Sequence, residues 1–285
     1  MTIHQKTQPA LSGDSNPELQ QTYGQRAIGA VNWVGLKTLY LKEVRRFMKV
    51  QLQTVWGPAI TTLLYLAIFT IALGRGDYMV LGVPFADFIA PGLIVMAMIQ
   101  NAFANSSFSL LVGKLQGTIV DYLMPPLSNL ELLAAMVGAA VSRAIIVGFA
   151  VWLVMSLWPG VHVMPKEPLA LVYFGVVGSA IVALIGVLTS IWAEKFDHAA
   201  TITNFVIAPL ALLSGTFYSI ERLAPAFQTF SQANPFFYII SGFRFGFLGK
   251  SDSDVMTGAI VLAVLLVVLA LVTYRVLASG WKLKS

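Results

Sequence analysis

The sequence predicts an all-α integral membrane protein with six transmembrane helices, an N-terminal amphipathic interfacial helix and a re-entrant helical hairpin between spans five and six. Hydrophobic residues make up 57% of the 285 residues and charged residues only 11%, whereas about 25% of a soluble domain is charged. Six apolar runs are also long enough to cross hydrocarbon. A spanning helix takes about 20 apolar residues, because unpaired backbone groups find no partners in the bilayer.

The chain divides into three predicted parts. Residues 1–30 are polar, lack the apolar core of a signal peptide, and are predicted to form a disordered cytoplasmic tail. Residues 31–51 form the interfacial helix, and residues 52–285 form the six-span domain. The predicted spans are Leu52–Leu73, Phe88–Phe108, Leu132–Trp158, Leu169–Ala193, Ala199–Tyr218 and Val255–Tyr274.

Basic residues near the spans predict the orientation. Ten lie on the side of the N-terminal flank: Lys37, Lys42, Arg45, Arg46, Lys49, Lys114, Lys195, Arg275, Lys282 and Lys284. Five lie on the opposite side: Arg75, Lys166, Arg222, Arg244 and Lys250. The positive-inside bias therefore places both termini in the cytoplasm. It also explains the net charge of +5, and no module typical of nucleic-acid binding is found.

The segment before the first span predicts an amphipathic helix. Apolar residues recur at helical spacing: Trp33, Leu36, Tyr40, Val44 and Phe47. Such a helix is expected to lie in the membrane surface, with its basic residues near anionic headgroups. Two interpretations remain: an ordinary juxtamembrane anchor, or an elbow helix that also touches a cytosolic partner.

Catalytic and metal-binding patterns are absent from the sequence. His4, His162 and His198 do not have the spacing of zinc ligands, and there are no cysteines. The segment "RFGFLGKS" has Arg244 where a phosphate loop requires glycine. No Gly-x-Ser-x-Gly motif indicates a hydrolase. The chain is therefore not expected to be an enzyme or to bind a cofactor.

Polar residues in the second and third spans are candidates for a transport pathway or a dimer seam. Asn101, Asn105 and Ser109 lie four residues apart, on one helical face, and Arg143 lies within the third span. Such groups face protein or water rather than lipid. The alternative is that they only form hydrogen bonds between helices.

The connection after the second span, Gly113 to Leu133, contains a short apolar piece, one acid at Asp121 and a break at Pro125-Pro126. It is either a simple connector or a rigid knob that docks into a partner. In the second case, we expect Tyr122 and Leu123 to fill an apolar groove of the partner, with Asp121 at its rim.

Residues 219–254 predict two short apolar helices separated at Asn234-Pro235. A re-entrant hairpin of this kind is tolerated at membrane depth where protein buries it. Gly242 and Gly246 permit close helix approach, and Arg244 is expected to reach toward the outer interface. The candidate hairpin residues are Asn234, Pro235, Tyr238, Gly242, Arg244 and Gly246.

Five segments in this order carry a family resemblance: "KEVRRFMKV", "APGLIVMAMIQNAFAN", "GKLQGTIVDYLMPPLS", "PLALLSGTFYSIERL" and "NPFFYIISGFRFGFLG". They resemble the ABC type-2 (ABC-2) transporter permeases, and in particular the YadH-like membrane subunits of bacterial ABC exporters. The resemblance implies a homodimer of six-span subunits that binds two copies of a separate ABC ATPase. It assigns ATPase coupling to Lys114, Gln116, Thr118, Asp121, Tyr122, Leu123 and Pro126, with Glu43 and Arg46 in the elbow helix.

The function implied by this resemblance is ATP-driven export across the bacterial inner membrane, with ATP and Mg²⁺ on the partner ATPase. The resemblance also places the hairpin on the outer side, as a structural lid or a substrate gate. The polar face of the second span favours an amphipathic or lipid-linked substrate, a glycan or a drug. The alternatives are a secondary transporter driven by an ion gradient and a membrane scaffold without transport.

Overall fold

The computed structural model describes residues 29–73, 79–220 and 224–283. The predicted tail lies outside these residues except for its last two positions, as do Arg75, Arg222 and Lys284. The helices are α1 (Trp33–Met48), α2 (Gly57–Leu73), α3 (Phe85–Ser107), α4 (Ser109–Leu115), α5 (Val120–Leu123), α6 (Asn129–Ser156), α7 (Pro168–Trp192), α8 (Phe196–Ile202), α9 (Ala208–Leu212), α10 (Pro225–Ala233), α11 (Pro235–Leu248) and α12 (Val255–Ser279). The helices that lead into α2 and α9 contain π-helical turns at Leu52–Trp56 and Thr203–Ile207.

Within the described ranges, five helices are long and apolar enough to cross a bilayer: Leu52–Ala72, Phe85–Leu115, Asn129–Ser156, Pro168–Trp192 and Val255–Ser279. The remaining predicted span, Ala199–Tyr218, coincides with a shorter apolar helix, Phe196–Leu212. Its predicted end at Tyr218 is wrong, because the helix stops before Gly215, where φ is +79°. The sixth span remains a prediction.

The mostly helical fold also contains a small β-hairpin, which the prediction of an all-α protein missed. Strands β1 (Met79–Val80) and β2 (Val83–Pro84) pair in antiparallel register. Leu81 and Gly82 join them with φ values of +52° and +68°. Positive φ at both central residues is typical of the tight turns that match the twist of two paired strands.

Helix α3 lies at the centre of the molecule and packs against α6, α7, α11 and α2. It continues with little interruption into α4, so that Phe85–Leu115 is helical over 31 residues. At 1.5 Å per residue this length is about 46 Å, longer than the roughly 30 Å of hydrocarbon. The predicted second span therefore extends past its expected end at Phe108.

Helix α1 begins at the expected place, but its buried face differs from the predicted stripe. The side chain of Asn32 accepts a hydrogen bond from the backbone N–H of Gly35 and caps the helix. Leu39, Glu43 and Phe47 form the buried face, which packs on α6. Trp33 is 71% exposed. The acid Glu43 is therefore enclosed by protein, whereas Trp33 remains on the surface.

Helix α6 starts at a capping box. Ser128 accepts a hydrogen bond from the backbone N–H of Glu131, and the carboxylate of Glu131 accepts from the N–H of Ser128. The same carboxylate accepts from the backbone N–H of Asn32. One acid therefore joins the starts of α1 and α6.

Basic side chains are sorted to two ends of the helix bundle. At one end, Lys114 donates to the carbonyl oxygens of Ile191 and Ala193 at 2.7 and 2.6 Å, and Lys282 pairs with Glu194 at 2.6 Å. At the other end, Lys250 donates to the carbonyl oxygen of the hairpin residue Leu81 at 2.8 Å. This sorting matches the two groups of basic residues distinguished in the sequence.

Candidate coupling site and buried ion pair

The short helix α5 is attached to α1 through Tyr122, which is only 7% exposed. Its hydroxyl donates to Glu43 Oε1 at 3.1 Å, and Lys42 Nζ lies 3.8 Å from the centre of its ring. Burial and the nearby charge of Glu43 raise the pKa of the Tyr122 hydroxyl above its usual value. The tyrosine therefore stays protonated and acts as a hydrogen-bond donor.

This position corrects one expectation from the sequence. Tyr122 was expected to insert into an apolar groove of a partner, but its ring packs inside this chain against the elbow helix. Alternate residues of a short helix point in different directions, so only part of α5 can face outward. The exposed apolar residues here are Val120 and Leu123 of α5 and, directly after the helix, Met124, which is 78% exposed.

The remaining predicted coupling residues divide between surface and structural positions. Gln116, Thr118, Asp121 and Pro126 are exposed around α5. Lys114 is instead engaged by the carbonyl groups at the end of α7, where a cation complements the helix dipole. The carbonyl of Pro126 accepts a hydrogen bond from Asn32 Nδ2 at 3.0 Å, which fastens the connection to the start of α1.

Arg46 links α1 to α3. Its Nη2 atom lies 2.8 Å from Glu43 Oε2 and donates to the backbone oxygen of Asn105 at 2.7 Å. Together with the Tyr122 hydrogen bond, these contacts form a continuous polar connection from α5 through α1 to the central helix. Glu43 is the junction of this connection and is fully buried.

Arg143 links α6 to the same polar face of α3. Its Nη2 atom donates to Asn101 Oδ1 at 2.8 Å, and its guanidinium carbon lies 6.0 Å from the centre of the Phe47 ring. Asn101, Asn105 and Ser109 are all buried in the chain. The structure thus places Arg143 against the face of α3 that carries Asn101 and Asn105, two of the predicted pathway or dimer-seam residues, and it buries Ser109 at the start of α4.

At the opposite end of the molecule, Arg244 and Asp252 form a buried ion pair that the sequence analysis missed. The two side chains are each 1% exposed, and their Nη1 and Oδ2 atoms lie 2.5 Å apart. Arg244 also donates to the backbone oxygens of Phe88 and Gly215 at 3.3 and 2.7 Å. Its guanidinium carbon lies 3.9 Å from the centre of the Phe88 ring.

The expectation that Arg244 extends toward the outer interface is therefore wrong. The guanidinium finds acceptors and a carboxylate inside the protein, so it has no need of headgroups or water. The signal available in the sequence was Asp252, eight residues after Arg244, with Gly249 between them to reverse the chain. Gly249 has a φ of +67° and ends α11.

Asn234 and Pro235 separate α10 from α11, as the sequence predicted. Asn234 Oδ1 accepts from the backbone N–H of Phe236, and Nδ2 donates to Leu210 O at 3.0 Å and to Ser214 Oγ at 2.7 Å. One side chain thus caps α11 and ties the helix pair to α9. Insertion of this pair into the membrane remains a prediction.

The glycines of α11 allow it to approach α7 closely. A Cβ atom added at Gly242 would lie 2.3 Å from the ring of Phe174, and one at Gly246 would lie 2.8 Å from the backbone of Leu171. Tyr238, on the same helix, packs beside Gly258 of α12. Any larger residue at Gly242 would push the two helices apart.

An apolar cavity of about 290 Å³ lies among α3, α6, α7 and α11. Met98, Phe149, Trp152 and Phe243 are among its lining residues. Neither Asn101 nor Asn105 lines it. The polar face of α3 and this apolar cavity are therefore separate features.

Known proteins are similar to this chain over most of its length. Residues 34–248 match the family model described as ABC-2 type transporter. The inner membrane transport permease YadH of Escherichia coli (strain K12) is 36% identical over 253 residues, covering 89% of this chain and 98% of the relative. Nodulation protein J of Rhizobium leguminosarum bv. viciae is 25% identical over 255 residues, covering 87% and 95%. The match spans α1, the connection that contains α5 and the helix pair α10–α11, and the chain belongs to the ABC-2 type transporter family as a transport permease of an ABC transporter.

Proposed function

We propose that this permease is the membrane subunit of an ATP-driven exporter, and that α5 transmits the motion of a separate ATPase to the central helix. The observation that supports this most directly is the polar connection Tyr122–Glu43–Arg46–Asn105. It starts beside exposed residues of α5 and ends in the middle of the bundle. A connector without a coupling role would not need a buried polar attachment of this kind.

The docking surface would consist of the exposed apolar residues of α5 and the residue directly after it. Val120, Leu123 and Met124 are 48%, 41% and 78% exposed, with Asp121 exposed beside them. Apolar side chains in the middle of a docking surface contribute most of the binding free energy, and charges at the rim contribute less. Leu123 would thus keep the role that the sequence predicts for it, and Met124 would replace Tyr122.

Transmission of motion from α5 to α3 would depend on the buried contacts behind the docking surface. A displacement of α5 away from α1 would separate Tyr122 from Glu43, and leaving a buried acceptor unpaired costs about 1–3 kcal/mol. If α5 and α1 move together, the hydrogen bond between Tyr122 and Glu43 is kept, so the free-energy cost is smaller. Because Arg46 holds α1 to Asn105, the motion would continue into α3.

Membership of the family supports the assembly that we propose. The permease would form a homodimer in the bacterial inner membrane and bind two copies of an ABC ATPase, which would hold ATP and Mg²⁺. Both termini would lie in the cytoplasm, at the end of the bundle that contains Lys114 and Lys282. The helix pair α10–α11 would then lie at the outer end.

An amphipathic or lipid-linked substrate, a glycan or a drug fits the two separate features of the core. The apolar cavity among α3, α6, α7 and α11 is suited to an apolar portion of a substrate. The buried amides of α3 are suited to a polar portion. Export rather than import rests on the resemblance to exporter subunits.

The test is co-purification of the permease with a candidate ABC ATPase, followed by transport and ATPase assays. The double variant Leu123→Ser/Met124→Ser should lose the ATPase in a pull-down, because it removes the apolar docking surface. Tyr122→Phe should retain the ATPase but lower transport, since only the hydroxyl bonded to Glu43 is removed. Expression level and dimer content of each variant serve as the folding control.

Leu130→Ser is the matched control, because Leu130 is 62% exposed but lies beyond α5. It should keep wild-type binding and transport. If the docking double variant binds the ATPase and transports at wild-type levels, α5 is only a connector. Transport that depends on an ion gradient and persists without the ATPase would favour a secondary transporter.

A further inference from the structure

Three buried hydrogen-bond donors of α1, α3 and α6 have no partner in the described part of the chain. They are Nη1 of Arg46, Nδ2 of Asn105 and Nε of Arg143. Buried polar atoms in folded proteins are nearly always hydrogen-bonded, and an unpaired one is destabilising, more so if it is charged. Three such donors on neighbouring helices therefore leave hydrogen-bonding capacity that a bound acceptor group would satisfy.

The three donors belong to one cluster. Arg46 contacts Asn105 through its other terminal nitrogen, and Arg143 contacts Asn101, one helical turn before Asn105. Phe47, next to Arg46, lies under the guanidinium of Arg143. The two arginines thus approach the same stretch of α3 from α1 and from α6.

The charge of this cluster favours an anion. Arg46 and Arg143 supply two positive charges, and among the described residues Glu43 is the acid that pairs with Arg46, although its Oε2 atom makes no hydrogen bond. Glu43 already accepts from Tyr122 through Oε1, while its Oε2 lies 2.8 Å from Arg46 Nη2. One positive charge remains uncompensated in a largely buried place, where like charges repel strongly.

We propose that this cluster, the α1–α3–α6 site, binds a phosphate group. A tetrahedral phosphate has enough oxygen atoms to accept from three donors that converge from different helices. Guanidinium groups are also suited to phosphate recognition through paired hydrogen bonds. The side chain of Arg46 is 31% exposed and Arg143 is half-buried, whereas the three donor atoms are buried, so these side chains would have to move to admit the phosphate.

The phosphate could be part of a lipid headgroup or a free inorganic ion, because both offer the same oxygens. The site does not depend on the proposed coupling to an ATPase, since it is formed by one chain alone. Measuring phosphate binding by the isolated permease therefore tests this site independently of the proposed coupling. A permease that binds phosphate but no ATPase would refute the proposed function and leave this site in place.

The experiment uses the full-length permease, purified in an uncharged detergent without an ATPase. Dioleoylphosphatidylglycerol, dioleoylglycerol and inorganic phosphate are titrated separately, and the thermal unfolding midpoint and the binding isotherm are measured. A lipid headgroup site is stabilised by the phospholipid but not by the diacylglycerol, which has the same acyl chains. A free phosphate site is also stabilised by inorganic phosphate.

Two variants test whether phosphate binds at the α1–α3–α6 site. Arg143→Gln should weaken binding about tenfold or more, as expected for the loss of a charge-assisted hydrogen bond. Asn105→Asp should weaken binding at least as much and raise the unfolding midpoint of the unliganded protein, because its carboxylate supplies the missing acceptor. This second variant is informative even if Arg143→Gln does not fold.

Arg45→Gln is the matched control. Arg45 is the exposed neighbour of Arg46 on α1, and the substitution changes the net charge by the same amount. It should retain wild-type affinity. The proposal is overturned if neither phosphate probe stabilises the wild type, which would mean that water fills the site, or if Arg45→Gln weakens binding as much as Arg143→Gln does.

Discussion

Replacing Arg244 by methionine is expected to destabilise the permease more than most single substitutions. The change removes one member of a buried ion pair in which both side chains are 1% exposed. It leaves the carboxylate of Asp252 buried, with the hydroxyl of Ser219 as its remaining side-chain partner at 2.6 Å. It also removes the donors to the carbonyl groups of Phe88 and Gly215.

The expected loss of unfolding free energy is about 3–5 kcal/mol, which is typical when one partner of a buried ion pair is removed. Asp252→Asn should also be destabilising, because the guanidinium then lacks a counter-charge. The double variant Arg244→Met/Asp252→Asn should lose less than the sum of the two single variants. A difference of about 1 kcal/mol or more would show that the two residues interact directly.

The measurement is equilibrium unfolding of the purified protein in mixed micelles with increasing sodium dodecyl sulfate. Arg275→Met is the control, because it removes the same charge from an exposed position near the end of α12. It should change the stability by less than about 0.5 kcal/mol. A stability of Arg244→Met within 1 kcal/mol of the wild type would refute the assignment of a buried ion pair.

Three further predictions use equally direct measurements. A reporter fused to the C-terminus should be active only in its cytoplasmic form, because basic residues are concentrated at that end of the bundle; periplasmic activity would refute the orientation. Gly242→Ala should lower the unfolding free energy, since the added Cβ would lie 2.3 Å from the Phe174 ring, whereas Gly138→Ala, with its nearest atom at 3.7 Å, should not. Asn101→Leu should cost roughly 1–3 kcal/mol, because Arg143 loses its acceptor, whereas Asn101→Asp keeps one. Equal stabilities of the two Asn101 variants would show that this hydrogen bond does not matter.

The sequence by itself was sufficient for features that depend on local composition. Long apolar runs identify the membrane helices, and Asn234-Pro235 marks the break between α10 and α11 at the right place. The polar positions Asn101, Asn105 and Arg143 were also found in this way, because amides and guanidinium groups are conspicuous in apolar segments. The insertion of a helix into the membrane and the end of a helix each depend on residues that are close together in the sequence, so the sequence pattern predicts them.

Only the tertiary structure decided which of these residues face one another. Tyr122 is buried because Glu43, 79 positions earlier, accepts its hydroxyl hydrogen, and Arg244 is buried because Phe88, 156 positions earlier, supplies one of its acceptors. Both residues are polar or amphipathic and were expected at a surface from their local context. Whether such a side chain turns inward depends on a partner brought near by helix packing, and no spacing within a single segment encodes that partner.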